Sequence, residues 1–298
     1  MAPNTQLSLS YYPWITQSIS GNDLQKAIDN FRGLLEVELR NGMGNSTTLT
    51  LLPVMEVPDQ IDDIKKKPDG GVVCKIGLLN PIGYAIAHAA VPDVQCITVI
   101  QRQIGDGPVG PIYRAQLYTR VDSGINTIKD MRGHSMGFGS AQSTSNFLVP
   151  AVMLWEQGIH PGNGFSRVVF TGGHDKSALA VYKGEIDIGA GHDGVIIDLA
   201  SKPDTSDALQ KLKRIAWSEA IPSDPVAVNS TDPAIQDQVQ QALLRVAKPN
   251  DDASAGNKAV QAFWGTTKGF ATISPDGYNS LLRMMYPLGI RPDDMLRK

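Results

Sequence analysis

An alternation of strand and helix patterns runs along most of this chain, and it limits the possible folds more than any other feature. Short apolar runs such as Val72–Leu79 predict buried strands, and amphipathic stretches such as Asp23–Leu39 predict the helices between them. The connections are short and rich in Gly and Pro. This pattern favours an α/β sheet covered on both faces, in which ligands bind beyond the carboxyl ends of the strands.

A break in composition at Gly105–Pro111 separates two parts of the pattern. A new strand starts at Tyr113, and Ile221–Val228 looks like a crossing back. A chain of 298 residues is long enough for two lobes. We therefore predict two lobes, each a mostly parallel sheet flanked by helices. Residues 1–112 and 222–298 form lobe I in this prediction, and residues 113–221 form lobe II.

The charge balance excludes an extended nucleic-acid-binding surface, because 27 basic and 30 acidic residues give a net charge of −3. No run of about 18 apolar residues exists that would span a membrane. The segment Met1–Thr5 lacks the charged and apolar regions of a signal peptide. The sequence leaves open a cytosolic protein and an exported protein whose leader has been removed.

Cys74 and Cys96 lie in separate apolar runs, which is typical of buried free thiols. A disulfide between them stays open if the chain is exported. The five histidines, at positions 88, 134, 160, 174 and 192, show no metal-ligand spacing, and dinucleotide and Walker A fingerprints are missing. We therefore expect no metal and no cofactor.

Three hydroxyl side chains follow the short strand predicted at Arg132–Met136 and precede a helical pattern at Phe147–Leu154. Ser143 or Thr144 is a good N-cap for that helix. The other early N–H groups have no partner within the helix and carry the positive end of its dipole, so they suit an anion. Ser143, Thr144 and Ser145 add rotatable hydroxyl donors. The alternative is an ordinary capped helix without a ligand.

Two further strand-to-helix loops hold polar residues, and such loops gather on one edge of an α/β sheet. His174 follows Gly172 and Gly173, which allow a close approach of the backbone to a ligand. Its imidazole can donate to an anionic oxygen and supply charge, or it can cap the helix or lie in the core. Asp193 can accept from a bound hydroxyl or act as an N-cap.

Tyrosines occur at several predicted strand ends. Asn80 and Tyr84 follow the strand Val72–Leu79, and for Tyr84 a ligand contact and core packing both stay open. For Tyr11 and Tyr113 we expect core or hinge packing.

Ser143, His174 and Asp193 also form a possible Ser-His-Asp hydrolase set. The G-x-S-x-G turn of that chemistry is missing from the sequence. Ser143 also has two hydroxyl neighbours, which suits holding a ligand better than activating one nucleophile.

At these residues the sequence resembles the phosphonate- and phosphite-binding, PhnD-like periplasmic components of ATP-driven (ABC) importers. The similarity is strongest from Asp122 to Asp193. The stretches that carry it are Gly77–Tyr84, Asp122–Ile125, Phe138–Pro150, Thr171–Val181 and Gly184–Ala190.

The resemblance implies a two-lobed type II periplasmic-binding-protein fold that closes over its ligand. It implies that Ser143, Thr144, Ser145 and His174 hold the phosphorus oxygens, with Tyr84 and Asp193 as further contacts. It also implies a non-catalytic monomer, periplasmic or at the cell surface, that partners a membrane permease. One departure concerns the loop Glu56–Gln60, where the family often places a tyrosine and this chain has no aromatic residue.

Two other functions compete with this one. An enzyme on the same bilobal fold would be a phosphoester hydrolase or a relative of thiamine-pyrimidine synthases, although the latter would want a cysteine-rich iron motif. A ligand sensor for a membrane receptor is the third possibility.

Overall fold

The computed structural model describes residues 5–13, 15, 19–104, 107–230, 232–265 and 267–297. In chain order the strands are β1 (Gln6–Ser10), β2 (Thr48–Leu51), β3 (Val72–Leu78), β4 (Val94–Arg102), β5 (Ile112–Tyr113), β6 (Ala115–Arg120), β7 (Ser135–Phe138), β8 (Arg167–Phe170), β9 (Ile188–His192), β10 (Leu212–Trp217), β11 (Ile221–Pro222), β12 (Pro225–Asn229) and β13 (Thr267–Ala271).

The α-helices alternate with these strands, and a turn of π-helix at Thr144–Leu148 leads directly into α4. The helices are α1 (Gly21–Met43), α2 (Val57–Lys65), α3 (Pro81–Ala90), α4 (Val149–Glu156), α5 (His174–Tyr182), α6 (Val195–Ala200), α7 (Ala208–Lys211), α8 (Pro233–Val246), α9 (Ala255–Trp264), α10 (Asn279–Arg283) and α11 (Pro292–Met295). Short 3-10 turns lie at Lys129–Met131, Pro203–Thr205, Pro275–Tyr278 and Tyr286–Leu288.

Two sheets form the cores of two lobes. In the first, the strand order is β13-β4-β12-β3-β1-β2, and in the second it is β10-β6-β9-β7-β8. Strands β1 to β4 run in one direction, and β12 and β13 run against them. In the second sheet only β6 runs against its neighbours. Most strands of each sheet run in the same direction, but both sheets are mixed, because β12 and β13 in the first and β6 in the second make antiparallel pairings.

The chain passes from the first sheet to the second after β4 and returns before β12. At these two passages β5 pairs with β11, with Tyr113 opposite Ile221. This two-stranded ribbon lies within the two passages, at Pro111–Gln116 and Trp217–Pro225. The exact lobe boundaries given above stay a prediction. In the predicted loop Gly105–Pro111, positions 105 and 106 lie outside the described residues.

The helix α1 shows why the sequence folds as it does. Its buried residues recur every three or four positions, so one face of the helix is apolar. That face packs against α8 and α9, and Phe31 lies with its ring centre 5.6 Å from that of Phe263 and 6.1 Å from that of Phe270. The buried positions on α1 are Leu24, Ile28, Phe31, Leu35 and Leu39.

Two smaller findings complete the description. Cys74 and Cys96 are both free, so the disulfide that the sequence left open does not form here. Within the described parts of the chain, no helix combines the length and the apolar character needed to cross a bilayer.

Candidate ligand-binding site

A cavity of about 840 Å³ lies between the two sheets. Its walls come from both lobes, at the carboxyl ends of several strands, which is where ligands bind in α/β sheets. Four of the predicted site residues, Ser143, Thr144, Ser145 and His174, line it together.

The three hydroxyl residues lie at the start of the helix that follows β7. Ser143 is the N-cap, and its Oγ accepts from the N–H of Asn146 at 3.1 Å. The first backbone bond of the helix runs from Leu148 N–H to the Ser143 carbonyl at 3.0 Å. The N–H groups of Thr144 and Ser145 therefore have no acceptor within the helix, which is the arrangement that binds anions at helix N-termini.

A second helix start, from lobe I, meets the first across the cavity. Asn80 caps α3 by accepting from Gly83 N–H at 2.7 Å. Its Nδ2 donates to the carbonyl of Gln142 at 3.0 Å. The N–H of Ile82 donates to Oγ1 of Thr144 at 3.1 Å. The positive ends of two helix dipoles thus face one site, and hydrogen bonds already join the lobes there.

Tyr113 and Arg102 add further polar groups to the cavity wall. The Tyr113 hydroxyl hydrogen-bonds the side chain of Ser145, and burial, followed by the nearby Asp224 carboxylate, raises the pKa of this phenol. Arg102 forms a close ion pair with Asp224. The phenol therefore stays neutral and can act as a donor, while the guanidinium charge is already balanced.

The ring of His174 is oriented by His192, which lies at the end of β9. The backbone N–H of His192 donates to Nδ1 of His174 at 3.2 Å, so Nδ1 carries no proton and the neutral ring holds its proton on Nε2. Burial first, then the nearby His192 and Arg102, lower the pKa of His174 well below its usual range. The imidazole is a neutral donor, and it does not supply the positive charge that the sequence suggested.

Tyr84 is not among the described residues that line the cavity. Its side chain is fully buried, with its ring stacked on His88 at 5.5 Å and edge-on to Tyr278 at 4.9 Å. Its hydroxyl accepts from the N–H of Cys96 at 3.2 Å. The reason is that α3 begins at Pro81, which carries Tyr84 one turn past the helix start and into the core.

Asp193 is also absent from the described residues that line the cavity. Its Oδ2 accepts from Arg114 N–H at 2.9 Å, and its own N–H donates to the Arg114 carbonyl at 2.9 Å. These two bonds link the end of β9 to the chain segment that enters lobe II. They give Asp193 a structural role, while its Oδ1 is buried without a hydrogen-bond partner among the described residues, so its assignment as a ligand contact stays a prediction.

The Ser-His-Asp triad does not form. In a triad, the histidine Nδ1–H donates to the carboxylate. Here Nδ1 of His174 accepts from a backbone N–H, and Asp193 pairs with Arg114 instead. The geometry is that of a donor set for an anion and does not activate Ser143.

Several cavity residues were not predicted from sequence. They include Tyr12 after β1, Arg102 at the end of β4, and Gln261, Trp264 and Thr267 from α9 and β13. Arg102 was predictable as a site residue, because a charged side chain at the end of a strand is a typical signal. The others come from segments without a recognisable motif.

Comparisons with known proteins agree with this architecture. A family model described as "ABC transporter, phosphonate, periplasmic substrate-binding protein" matches residues 74–278. The chain is 30% identical over 128 residues to the phosphate-import protein PhnD of Mycolicibacterium smegmatis, covering 41% of this chain and 39% of that protein. It is 32% identical over 148 residues to the phosphonates-binding periplasmic protein of Escherichia coli, covering 48% and 42%. The chain thus spans about two fifths of the length of these curated relatives.

Solved structures share the fold along nearly the whole chain. XAC2383 from Xanthomonas citri, bound to ATP, superposes with a TM-score of 0.71 at 17% identity, covering 98% of this chain and 100% of that one. PhnD1 from Prochlorococcus marinus, in complex with methylphosphonate, gives 0.69 at 17% identity, covering 96% and 99%. These likenesses establish the two-lobed type II fold. Because the family model matches well over half of this chain, the chain belongs to the family of periplasmic substrate-binding proteins of phosphonate ABC transporters.

Proposed function

We propose that this protein captures a phosphorus oxyanion, such as a phosphonate or phosphite, in the cavity between its lobes and delivers it to the permease of an ABC importer. The observation that carries the proposal is the meeting of two helix N-termini at Ser143–Ser145 and Asn80–Ile82. Hydroxyls and the neutral His174 ring surround that point. Family membership supports a periplasmic or cell-surface location and action as a monomer.

This donor set suits a phosphorus oxyanion because burying an anion requires a donor for each of its oxygens. Thr144 and Ser145 offer backbone N–H groups, and Ser143, Tyr113 and His174 offer side-chain donors. Preorganised donors at helix starts stabilise negative charge without a bound cation.

Closure of the lobes completes the mechanism that we propose. The two chain passages near Pro111–Gln116 and Trp217–Pro225 act as the hinge, and closing excludes water from the oxyanion. Release to the permease then needs only the reopening of the cleft. No covalent step on the ligand is part of this function.

Calorimetry with the purified chain tests the proposal. Methylphosphonate, phosphite and inorganic phosphate are titrated in turn, and at least one should bind with a stoichiometry of one. Replacing Ser145 or His174 with Ala should weaken that binding by about 1–3 kcal/mol for each lost donor. Unchanged affinity in both variants would reject the site, and turnover of a phosphate ester would favour the hydrolase alternative.

A further inference from the structure

The cavity is much larger than a phosphorus oxyanion alone requires. Its volume of about 840 Å³ lies in the upper part of the range of roughly 300–1,000 Å³ that is typical of pockets for drug-sized ligands. Methylphosphonate has five heavy atoms, and at ~30 Å³ for each it would fill on the order of 150 Å³. The lobes already touch at Asn80–Gln142 and Ile82–Thr144, and the remaining space lies beside these contacts.

Apolar side chains line the part of the cavity beyond the donor set. From lobe II, α6 contributes Val195, Ile197 and Leu199. From lobe I, α9 contributes Trp264, and Tyr12 follows β1. Ile197 is 41% exposed although it faces a cavity, so contact with a ligand would remove apolar surface from water.

Each charged side chain on the described lining already contacts a polar or charged partner in the protein. Arg102 pairs with Asp224, and Lys268 pairs with Asp252. The other two pairs are Lys202 with Asp175 at 3.8 Å and His192 with Asp198 at 3.3 Å. An ammonium or a second phosphate on the ligand would have to compete with these existing partners, whereas an uncharged group would not.

Two buried polar atoms in the same wall have no hydrogen-bond partner among the described residues. They are Nε1 of Trp264 and Oγ1 of Thr267, on residues that are 5% and 0% exposed. Both residues line the cavity. Buried polar groups without a partner are rare, and these two lie just beneath the surface of the α9–β13 wall.

We propose that the ligand is a phosphonate or phosphate monoester with a bulky, uncharged substituent, seated between α6 of lobe II and the α9–β13 wall of lobe I. The inference rests on the proposed function, because the phosphoryl group must first be held at Ser143–Ser145. Phosphite and aminoalkyl phosphonates then bind less tightly, because phosphite leaves Ile197 in contact with water and an ammonium must compete with the partners of the lining carboxylates.

Calorimetry with three phosphonates tests this substituent site. Phenylphosphonate should bind at least tenfold more tightly than methylphosphonate, and 2-aminoethylphosphonate should bind no more tightly than methylphosphonate. Equal or tighter binding of either small ligand relative to phenylphosphonate overturns the inference and leaves the proposed function intact. If none of the three phosphonates binds, and inorganic phosphate does not bind either, the proposed function and this inference are both rejected.

A pair of variants locates the site. Ile197→Ser should weaken phenylphosphonate at least threefold and leave methylphosphonate within twofold, since only the larger ligand reaches α6. Leu209→Ser is the matched control, because Leu209 is an equally aliphatic lobe II residue, 60% exposed and outside the cavity lining. An equal effect of Ile197→Ser on both ligands, or no effect on either, contradicts the placement.

Discussion

His174 illustrates how one backbone contact sets the chemistry of a side chain. The N–H of His192 at Nδ1 leaves Nε2 as the donor, and the lowered pKa keeps the ring neutral. We expect His174→Gln, which keeps a neutral N–H donor, to stay within about threefold of the wild-type affinity for methylphosphonate. His174→Ala should lose about 1–3 kcal/mol.

The same observation predicts the pH dependence of binding. Because the pKa of His174 lies well below its usual range, this ring does not gain a proton between pH 8 and pH 6. Affinity measured by calorimetry across that window should follow only the ionisation of the ligand, and it should do so equally in His174→Gln. If the wild-type affinity changes with pH beyond the ionisation of the ligand, and this change is absent in His174→Gln, the imidazole is charged when the ligand is bound.

The two thiols give a prediction about reactivity. Burial raises the pKa of both Cys74 and Cys96 to about 12. Since the thiolate is the reactive form, only on the order of 1 in 10,000 of each would be ionised at pH 8. A thiol reagent should therefore react slowly with the native protein, whereas in guanidinium chloride both thiols should react rapidly. Fast reaction of Cys74 in the native protein would contradict its burial.

At the residue scale, the sequence predicted the donors that follow from local rules. Ser143 was recognisable because an N-cap hydroxyl after a strand has a short-range signature. The core position of Tyr84 follows from the start of α3 at Pro81, which places Tyr84 one turn after the helix start. The bond of Asp193 to Arg114 was not predictable, because the two residues are 79 positions apart in sequence.

At the element scale, the contact between α3 and the Ser143–Ser145 turn couples the two lobes. Thr144→Val removes the acceptor of the buried Ile82 N–H, and an unpaired N–H costs about 1–3 kcal/mol. The cost falls on the closed form, so methylphosphonate affinity measured by calorimetry should drop on the order of ten- to a hundredfold.

Thr119→Val provides the control for that prediction. Thr119 is also fully buried, and its Oγ1 donates to the Asp187 carbonyl at 2.6 Å, away from the cavity. This variant should lower the thermal stability and leave the affinity unchanged. If both threonine variants change affinity equally, the contact between the lobes has no special role in closure.

Two of the elements that sequence analysis missed build the substituent wall. α9 and β13 were not predicted, although Ser254 caps α9 by accepting from Asn257 N–H at 3.1 Å. β13 is an edge strand of five residues with glycine inside it, and it joins the sheet by pairing with β4, far away in the chain. Neither its length nor its composition distinguishes it from a loop.

At the scale of the whole molecule, ligand binding should change the shape of the particle. Hydrogen bonds join the lobes at Asn80–Gln142 and Ile82–Thr144, and Gln142 also donates to the carbonyl of Arg297 at 3.1 Å. Small-angle scattering should give a radius of gyration of about 19 Å with ligand and a larger value without it. An identical value in both states, under conditions where calorimetry records binding, would contradict hinge closure.

The two-lobed architecture itself was accessible from sequence, because alternating strands and helices leave few other folds. The insertion of β12 between β3 and β4 was not accessible, since it depends on pairing between residues about 150 positions apart.

That insertion has a consequence for biogenesis. The central strand β12 and the edge strand β13 are made only after every strand of the second sheet has been synthesised. During synthesis the second sheet can therefore form first, while the position of β12 between β3 and β4 is still unoccupied. The amino-terminal half stays unfinished until the ribosome has passed Asn229, which leaves a long interval in which chaperones or an export machinery meet an unfolded segment.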